Sequence, residues 1–317
     1  MIGKESGQDD LAAWGIEHKP GVLDRIDDEL DWRRFGKTLR KVFKDSKDGR
    51  PSYPPVMLFK VLLLQQWYGL SDPMAEEAIG DRFSFRRFLG LGLHEAVPDE
   101  TTICRFRGRV AEKGLGDKLL RELNRQLDNK GLLVKHGTLV DASLIEAQTR
   151  PPRKEDPNLP KDADADWTVK NNQPTSGFKL HVGVDDGSGI IRKAEMTPAS
   201  THDSRVFKEL LSGDERAVYA DKAYDDTARR QKLKRQDVLD GILKQGRRNR
   251  PLTDWERTWN RYLSAIRSPV ERVFGTFKRS YGFRRARYVG LTRNRNHAYL
   301  LAMAFNMRKM TRLLPAS

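Results

Sequence analysis

The chain is short of several things that would define other classes of protein. It has a single cysteine, Cys104, among 317 residues. That excludes a disulfide framework and any multi-cysteine zinc site. Long apolar runs are missing too. The longest, Val56 to Leu64, is interrupted by Lys60 and falls far short of the ~20 residues that span a bilayer. Met1 to Asp10 is polar and acidic, unlike a signal peptide. No internal repeat is visible. The expectation is a cytoplasmic protein with no membrane partner.

Acidic residues are missing from one end. Arg272 to Ser317 holds eleven Lys or Arg and no Asp or Glu. The first 271 residues are nearly balanced, 48 basic against 44 acidic, so most of the formal charge of +15 sits in the last 46. The same stretch interleaves Phe274, Phe277, Tyr281, Phe283, Tyr288, Tyr299 and Phe305. Basic side chains among aromatics suit a phosphate backbone. A solvated helix with Arg stems lying over an aromatic core has the same composition.

What is present is a change of period. Up to Gly131 the pattern is helical. Leu23, Ile26, Leu30 and Phe35 give the first 50 residues one or two amphipathic helices. A strongly apolar helix over Val56–Tyr68 is closed by Gly69, a short one capped by Ser71 is stopped by Gly80, and a third precedes Gly90. Asp99 caps a helix with Ile103, Phe106 and Val110 on one face, where Cys104 reads as a small buried residue. Short helices with glycine turns read as a helix-turn-helix bundle. From Thr138 the period becomes that of strands: Thr138–Ile145, Gly177–Asp185, a turn at Asp186–Gly189, Ile190–Met196, Ala217–Asp221 and Gly241–Lys244. Helices are expected over Asp203–Leu211 and Thr227–Gln236, and again to the end. This is an α/β layer pattern. Arg150–Ser176 reads as a long polar loop, with Trp167 packed on the body or stacked on a base.

Three carboxylates stand out. Asp141 interrupts the apolar strand Leu139-Val-Asp-Ala, and a buried carboxylate needs a partner, a cation or solvent. Asp221 closes Val218-Tyr-Ala-Asp, at the kind of strand end where α/β sites are built. Glu271 lies beside the stripe Val270, Val273, Phe274 and Phe277; Arg267, four residues earlier, and Lys278, seven later, project along the same line. A surface pair explains Arg267 and Glu271 but not Lys278. Carboxylates without a Cys or His cluster favour Mg²⁺ or Mn²⁺, and two such ions cleave phosphodiesters in known two-metal sites.

These residues resemble those of bacterial DDE transposases of insertion-sequence families four and five, most closely the family-five type. Four segments carry the likeness, from about Tyr53 to Arg308. They are YPPVMLFKVLLLQQWYGLSD (Tyr53–Asp72) with PDETTICRFR (Pro98–Arg107); LVDASLIEA (Leu139–Ala147); GFKLHVGVD with THDSRVF and YADKAYDD; and IRSPVERVFGTFKRSYGFRRARY (Ile266–Tyr288). The last is similar to the family's Tyr, Arg, Glu, Lys signature through Arg267, Glu271 and Lys278, with Ser264 in place of the Tyr.

The resemblance implies an all-helical N-terminal DNA-binding domain and an α/β, ribonuclease H-like catalytic domain, a mixed sheet flanked by helices. The expected division is residues 1–50 as a helical segment, 51–132 as the DNA-binding domain, 133–312 as the catalytic domain with its loop 150–176, and 313–317 as a tail. It also implies Asp141 on the first strand, Asp221 on the fourth and Glu271 on a later helix, all three catalytic and holding two Mg²⁺ or Mn²⁺ ions. Arg267 would support the site and contact DNA. Lys278, Arg279, Arg284, Arg285, Arg287, Trp167, Thr101, Thr102, Arg105 and Arg107 would meet DNA, with His202 and Lys222 as supporting candidates. By default His202 and Asp203 precede a helix that Asp203 or Ser204 caps, and His181 is exposed or packed in its hairpin. The implied partners are double-stranded DNA, as element ends and target, and further copies in a dimer or larger assembly, in a bacterial cytoplasm at the nucleoid. A catalytically silent DNA-binding derivative and a general metal-dependent nuclease are the alternatives.

Overall fold

A computed structural model describes residues 20–42, 53–149, 162–170 and 172–315. The expected helical reading of residues 1–19 and 43–52 lies outside them. The chain divides into two compact units, Met1–Gln126 together with Tyr299–Ser317, and Leu127–Ala298.

The first unit is helical. Its elements are α1 (Val22–Glu29), α2 (Trp32–Leu39), α3 (Pro55–Tyr68), α4 (Asp72–Asp81), α5 (Phe83–Leu89), α6 (Glu100–Glu112) and most of α7 (Gly116–Asn129). Helix α3 is apolar all round, so it buries every residue from Met57 to Trp67. The expected punctuation is in place. Gly69 and Gly90 end their helices at φ 66° and 72°, while Ser71 and Asp99 accept from the backbone N–H three residues on. Lys60 is the charged residue of this buried run. Its ammonium donates to Asp27 at 2.5 Å and to the carbonyl of Phe88 at 2.8 Å. It also sits over the rings of Trp32 and Phe88. Helix α10 (Leu291–Leu313) enters this unit with its second half, where Ala304 accepts from the Trp67 indole at 2.9 Å. Cys104 is exposed rather than buried. It lies a third of a turn off the face that buries Ile103, Phe106 and Val110.

The second unit is built on a mixed sheet of six strands: β1 (Thr138–Glu146), β2 (Asp166–Lys170), β3 (Gln173–Asp185), β4 (Ile191–Pro198), β5 (Ala217–Ala220) and β6 (Leu239–Ile242). The order is β2-β3-β1-β5-β6, with β4 also paired to β3. β1, β3 and β4 form an antiparallel meander, and β5 and β6 follow in parallel beside β1. That topology, flanked by α8 (Thr227–Arg235) and α9 (Asp254–Arg279), is a mixed sheet flanked by helices, as expected. Val140, Val218, Ala220, Ile242, Phe207, Leu210, Tyr224 and Leu233 form one core cluster in this unit.

Two sequence expectations need correction. The stretch to Ser176 is not all loop. Asp166–Lys170 pairs with Gln173–Gly177 as a hairpin, and Asn172 takes φ 60° at its turn. The strand was hidden because both its flanks and its turn are polar. It makes Asp221 follow the fifth strand in chain order instead of the fourth. The expected helix over Asp203–Leu211 is two 3-10 turns, Asp203–Val206 and Lys208–Leu210. Side chains take nearby carbonyls out of helical bonding: Lys179 donates to Thr201 at 2.9 Å and Arg229 to Ser204 at 3.1 Å.

Two glycines on β3 let backbone approach closely, one from β1 and one from the 3-10 turn at Leu210. A methyl at Gly177 would overlap the Ile145 carbonyl oxygen, and one at Gly183 the Leu210 carbonyl. Gly177→Ala should therefore force β3 off β1 and lower stability by about 1–3 kcal/mol. Urea unfolding of the variant beside the wild type measures it, and an unchanged midpoint would show that the sheet yields there at no cost.

Candidate active site

Parallel register brings two of the three acids together. Val140 on β1 stands beside Ala220 on β5, so the next residues stand side by side: Asp141, still within β1, and Asp221, just past the end of β5. Arg267 of α9 closes the gap between them. Its guanidinium lies 3.4 Å from Asp141 Oδ2 and 3.9 Å from Asp221 Oδ1, with only 12% of the side chain exposed. Each aspartate also accepts from the backbone N–H that follows it, Ala142 at 2.8 Å and Lys222 at 2.6 Å. Burial pushes the Asp141 carboxyl above the usual range; Arg267 opposes the shift, and Asp221 and Asp203 add to it.

Tyr224 belongs to this neighbourhood, and sequence reasoning passed over it. It is buried, its phenol is pushed strongly upward by burial and by Asp203 and Asp141, and its hydroxyl has no hydrogen-bond partner. The Nε of Arg267 is likewise buried without a partner. The only sequence signal for Tyr224 was its place three residues after Asp221. Asp203 is held by Lys179 at 2.9 Å. The cap of its 3-10 turn is His202, whose Nδ1 accepts from the Ser204 N–H at 3.3 Å, in place of Asp203 or Ser204.

Glu271 is exposed on α9, one turn beyond Arg267. Pro269 lies between them inside the helix. It removes the hydrogen bond to the Ala265 carbonyl and so permits a bend. Among the described residues no group of three His, Cys, Asp or Glu side chains is close enough to hold a metal ion. Asp141 and Asp221 do fit a hard cation, since two carboxylates already share one positive group between two unsatisfied polar atoms. The third carboxylate is not assembled with them.

The other candidates are spread more widely. Arg284, Arg285 and Arg287 lie on a segment laid along the end of β1. Glu146 N–H donates to Arg284 at 3.0 Å, Ala286 N–H donates to Glu146 at 2.7 Å, and the Arg285 guanidinium is 3.6 Å from the Glu146 carboxylate. Arg279 is exposed at the end of α9, with Lys278 half-buried beside it. Trp167 is exposed on β2. Lys222 is exposed at the start of a 3-10 turn. In the helical unit Thr101 and Arg105 are exposed and Thr102 is half-buried. Arg107 is engaged internally, its guanidinium forked onto Asp72 with both distances 2.6 Å. Among the described residues no helix is long and apolar enough to cross a membrane.

The sequence from residue 133 to 307 matches the transposase DDE domain. The chain belongs to that family. Residues 15–109 of this transposase match a second description, Transposase domain (DUF772). Among solved structures the chain is similar to the piggyBac transposase synaptic complex with hairpin DNA, at 9% identity over 93% of this chain and 81% of that one, with a TM-score of 0.39. It is also similar to the Mos1 transposase paired-end complex with the left transposon end, at 13% identity over 94% and 89% of the two chains, with a TM-score of 0.22. At these scores the likenesses place no side chain. The enzyme is a DDE transposase, acting on DNA by cleavage and strand transfer.

His181 supplies a pH test of this region. It is fully buried on β3, packed in its hairpin with Nε2 2.9 Å from the Thr197 hydroxyl and Nδ1 unpartnered. Burial lowers its pKa from 6.5 to about 4, against Asp203, which raises it. Folding thus favours the neutral ring. Its contribution is whole above pH 6.5 and drains away as pH falls toward about 4, roughly 3 kcal/mol in total. His181→Gln should flatten that limb of the stability curve. Chemical denaturation at pH 7, 5.5 and 4.5 reads it, and parallel curves for the two proteins would contradict the burial argument.

Proposed function

We propose that this transposase is of the insertion-sequence family-five type, that it binds the inverted ends of its own element, and that Asp141, Asp221 and Glu271 form its catalytic triad. The observation that carries the reading is the aspartate pair bridged by one guanidinium where β5 ends beside the middle of β1. Asp141 and Asp221 would hold Mg²⁺ or Mn²⁺, two ions in all, with Glu271 completing the ligands from the next turn of α9. The bound metal would supply Lewis-acid stabilisation of the phosphodiester and a nucleophile at neutral pH.

The chain's own residues do the rest. Arg267 keeps the two carboxylates converged without metal and offers its charge to phosphate when they are otherwise occupied. Lys278 and Arg279 at the end of α9, with Arg284, Arg285 and Arg287 beside β1, hold the strand by its phosphates. Trp167, Thr101, Thr102 and Arg105 are further DNA contacts. Arg107 serves through its fork with Asp72, which holds α6 against α4. Lys222 and His202 frame the loops that follow β5 and β4. Positioning and charge stabilisation are the main work of such a site. Two ends held for joining call for a dimer or a larger assembly on DNA, at the nucleoid of a bacterial cytoplasm.

Alanine at Asp141, Asp221 or Glu271 should abolish cleavage of element ends in Mg²⁺, a loss of roughly a thousandfold or more, which is ~4 kcal/mol. End binding should survive. A strand-nicking assay beside a gel-shift assay checks both, and a variant that cuts normally removes that residue from the triad. Binding should also fall steeply with salt, with log K changing by about −0.9 per phosphate contacted for each unit of log salt. A titration that stays flat from 50 to roughly 200 mM salt would refute the basic footprint at the C-terminal end.

A further inference from the structure

Helix α9 carries a feature that the catalytic line does not use. Trp255, Trp259 and Tyr262 fall within about 60° of one face. Further along the helix the same arc buries Val270, Val273 and Phe277. At the N-terminal end the rings are open: Trp255 is 64% and Tyr262 58% exposed. They are also ordered on one another. Trp255 and Trp259 lie 5.8 Å apart at 9°, and Trp259 and Tyr262 5.5 Å apart at 26°. Three near-parallel rings, two of them mostly in solvent, are a costly surface to leave bare.

The charge around them selects the occupant. Lys244 to Tyr262 holds six basic residues and two acidic ones. Both acids are neutralised locally, Glu256 by Lys244 at 3.1 Å and Arg250 at 3.3 Å, and Asp254 by Arg257 at 2.6 Å. Arg247, Arg248 and Arg261 make no ion pair among the described residues. The Lys244 ammonium sits 5.3 Å from the centre of the Trp255 ring. Two copies of so basic a face repel each other, which disfavours self-association through it. A polyanion with flat apolar faces satisfies both halves of the pattern.

The geometry points to a stacking platform for unpaired nucleobases of a DNA strand, formed by Trp255, Trp259 and Tyr262 with Arg247, Arg248 and Arg261 for its phosphates. The proposal rests on the reading of this transposase as one that opens DNA at Asp141, Asp221 and Glu271. Position on the helix connects the two. Tyr262 is about 7.5 Å along the axis and about 140° around from Arg267, and about 13.5 Å along and about 180° around from Glu271. A strand held at the acids passes about half-way round a helix some 10–12 Å across to reach the ladder, a path of roughly 22 Å, or about six to seven steps of 3.4 Å. Double-stranded DNA cannot use the platform, because its bases are already stacked on each other. The site therefore discriminates in favour of frayed or cut ends.

The test uses the full chain without divalent ions, so that binding is read apart from cleavage. Affinity is measured by fluorescence anisotropy for an end-labelled single strand of thymidines and for a blunt duplex of equal length. Trp255→Ala should weaken single-strand binding about tenfold and move duplex binding less than twofold, and Trp255→Phe should retain most of the affinity. Trp255 is exposed, so circular dichroism should show an unaltered fold. Unchanged single-strand affinity, an equal loss on both DNAs, or a wild-type dimer that the alanine variant dissociates in sedimentation equilibrium would each overturn the platform. Failure of the acid triad would appear instead in the nicking assay, where these variants are not used.

Discussion

The catalytic unit depends on one arrangement of charge, a guanidinium inserted between two carboxylates that parallel strands bring side by side. Asp141 and Asp221 come from positions 80 residues apart in the chain, and without a cation between them their repulsion would oppose the pairing of β1 with β5. Arg267 relieves it from a third element. Burying a charge is costly unless it is paired, and this trio pairs each member while leaving Arg267 Nε and the Tyr224 hydroxyl unsatisfied. The result is a site preorganised for positive charge and for oxygen ligands, with hydrogen-bonding capacity still unused.

The rest of the unit holds that arrangement in place. The core cluster fixes β1 and β5 to each other and seats Tyr224 beside the acids. Gly177 lets β3 lie close on β1, and Gly183 lets the 3-10 turn at Leu210 pass close over β3. Helix α9 does two jobs along its length. Its buried stripe anchors Arg267, and its N-terminal turns carry stacked rings into solvent. Pro269 falls between Arg267 and Glu271, so the cation that joins the aspartates and the third acid are on opposite sides of the helix's weakest turn.

Much of this was legible from residue order. The helical start was readable because caps and stops are local: Ser71, Asp99, Gly69 and Gly90 act within three or four residues of themselves. The strands β1, β3 and β4 were readable because their apolar residues recur with a plain period. Asp141 and Asp221 stood out because a carboxylate in an apolar strand must be accounted for. Arg267 stood out through its spacing from Glu271 and Lys278. The short strand β2 is not legible in this way, since its only apolar residues, Trp167 and Val169, are both exposed and give too brief an alternation inside a polar stretch. Local period alone makes the stretch after Asp203 a helix, because the side chains that take the Thr201 and Ser204 carbonyls, Lys179 and Arg229, come from distant positions. Cys104 was placed inside from its residue type alone, although helical phase turns it outward.

What the sequence determined by itself is the set of local choices: where helices begin and end, which residues alternate, and where charge accumulates. Those follow from backbone conformation and from periods of two and 3.6 residues, which act over a few neighbours. What only the tertiary structure decided is which side chains share a space. The pairing of Asp141 with Asp221 through Arg267, the approach of Tyr224, the internal fork of Arg107 and the bare aromatic face of Trp255, Trp259 and Tyr262 all depend on register between strands and on which side of a helix finds cover. Those distances are set by packing between elements far apart in the chain, which no local period encodes.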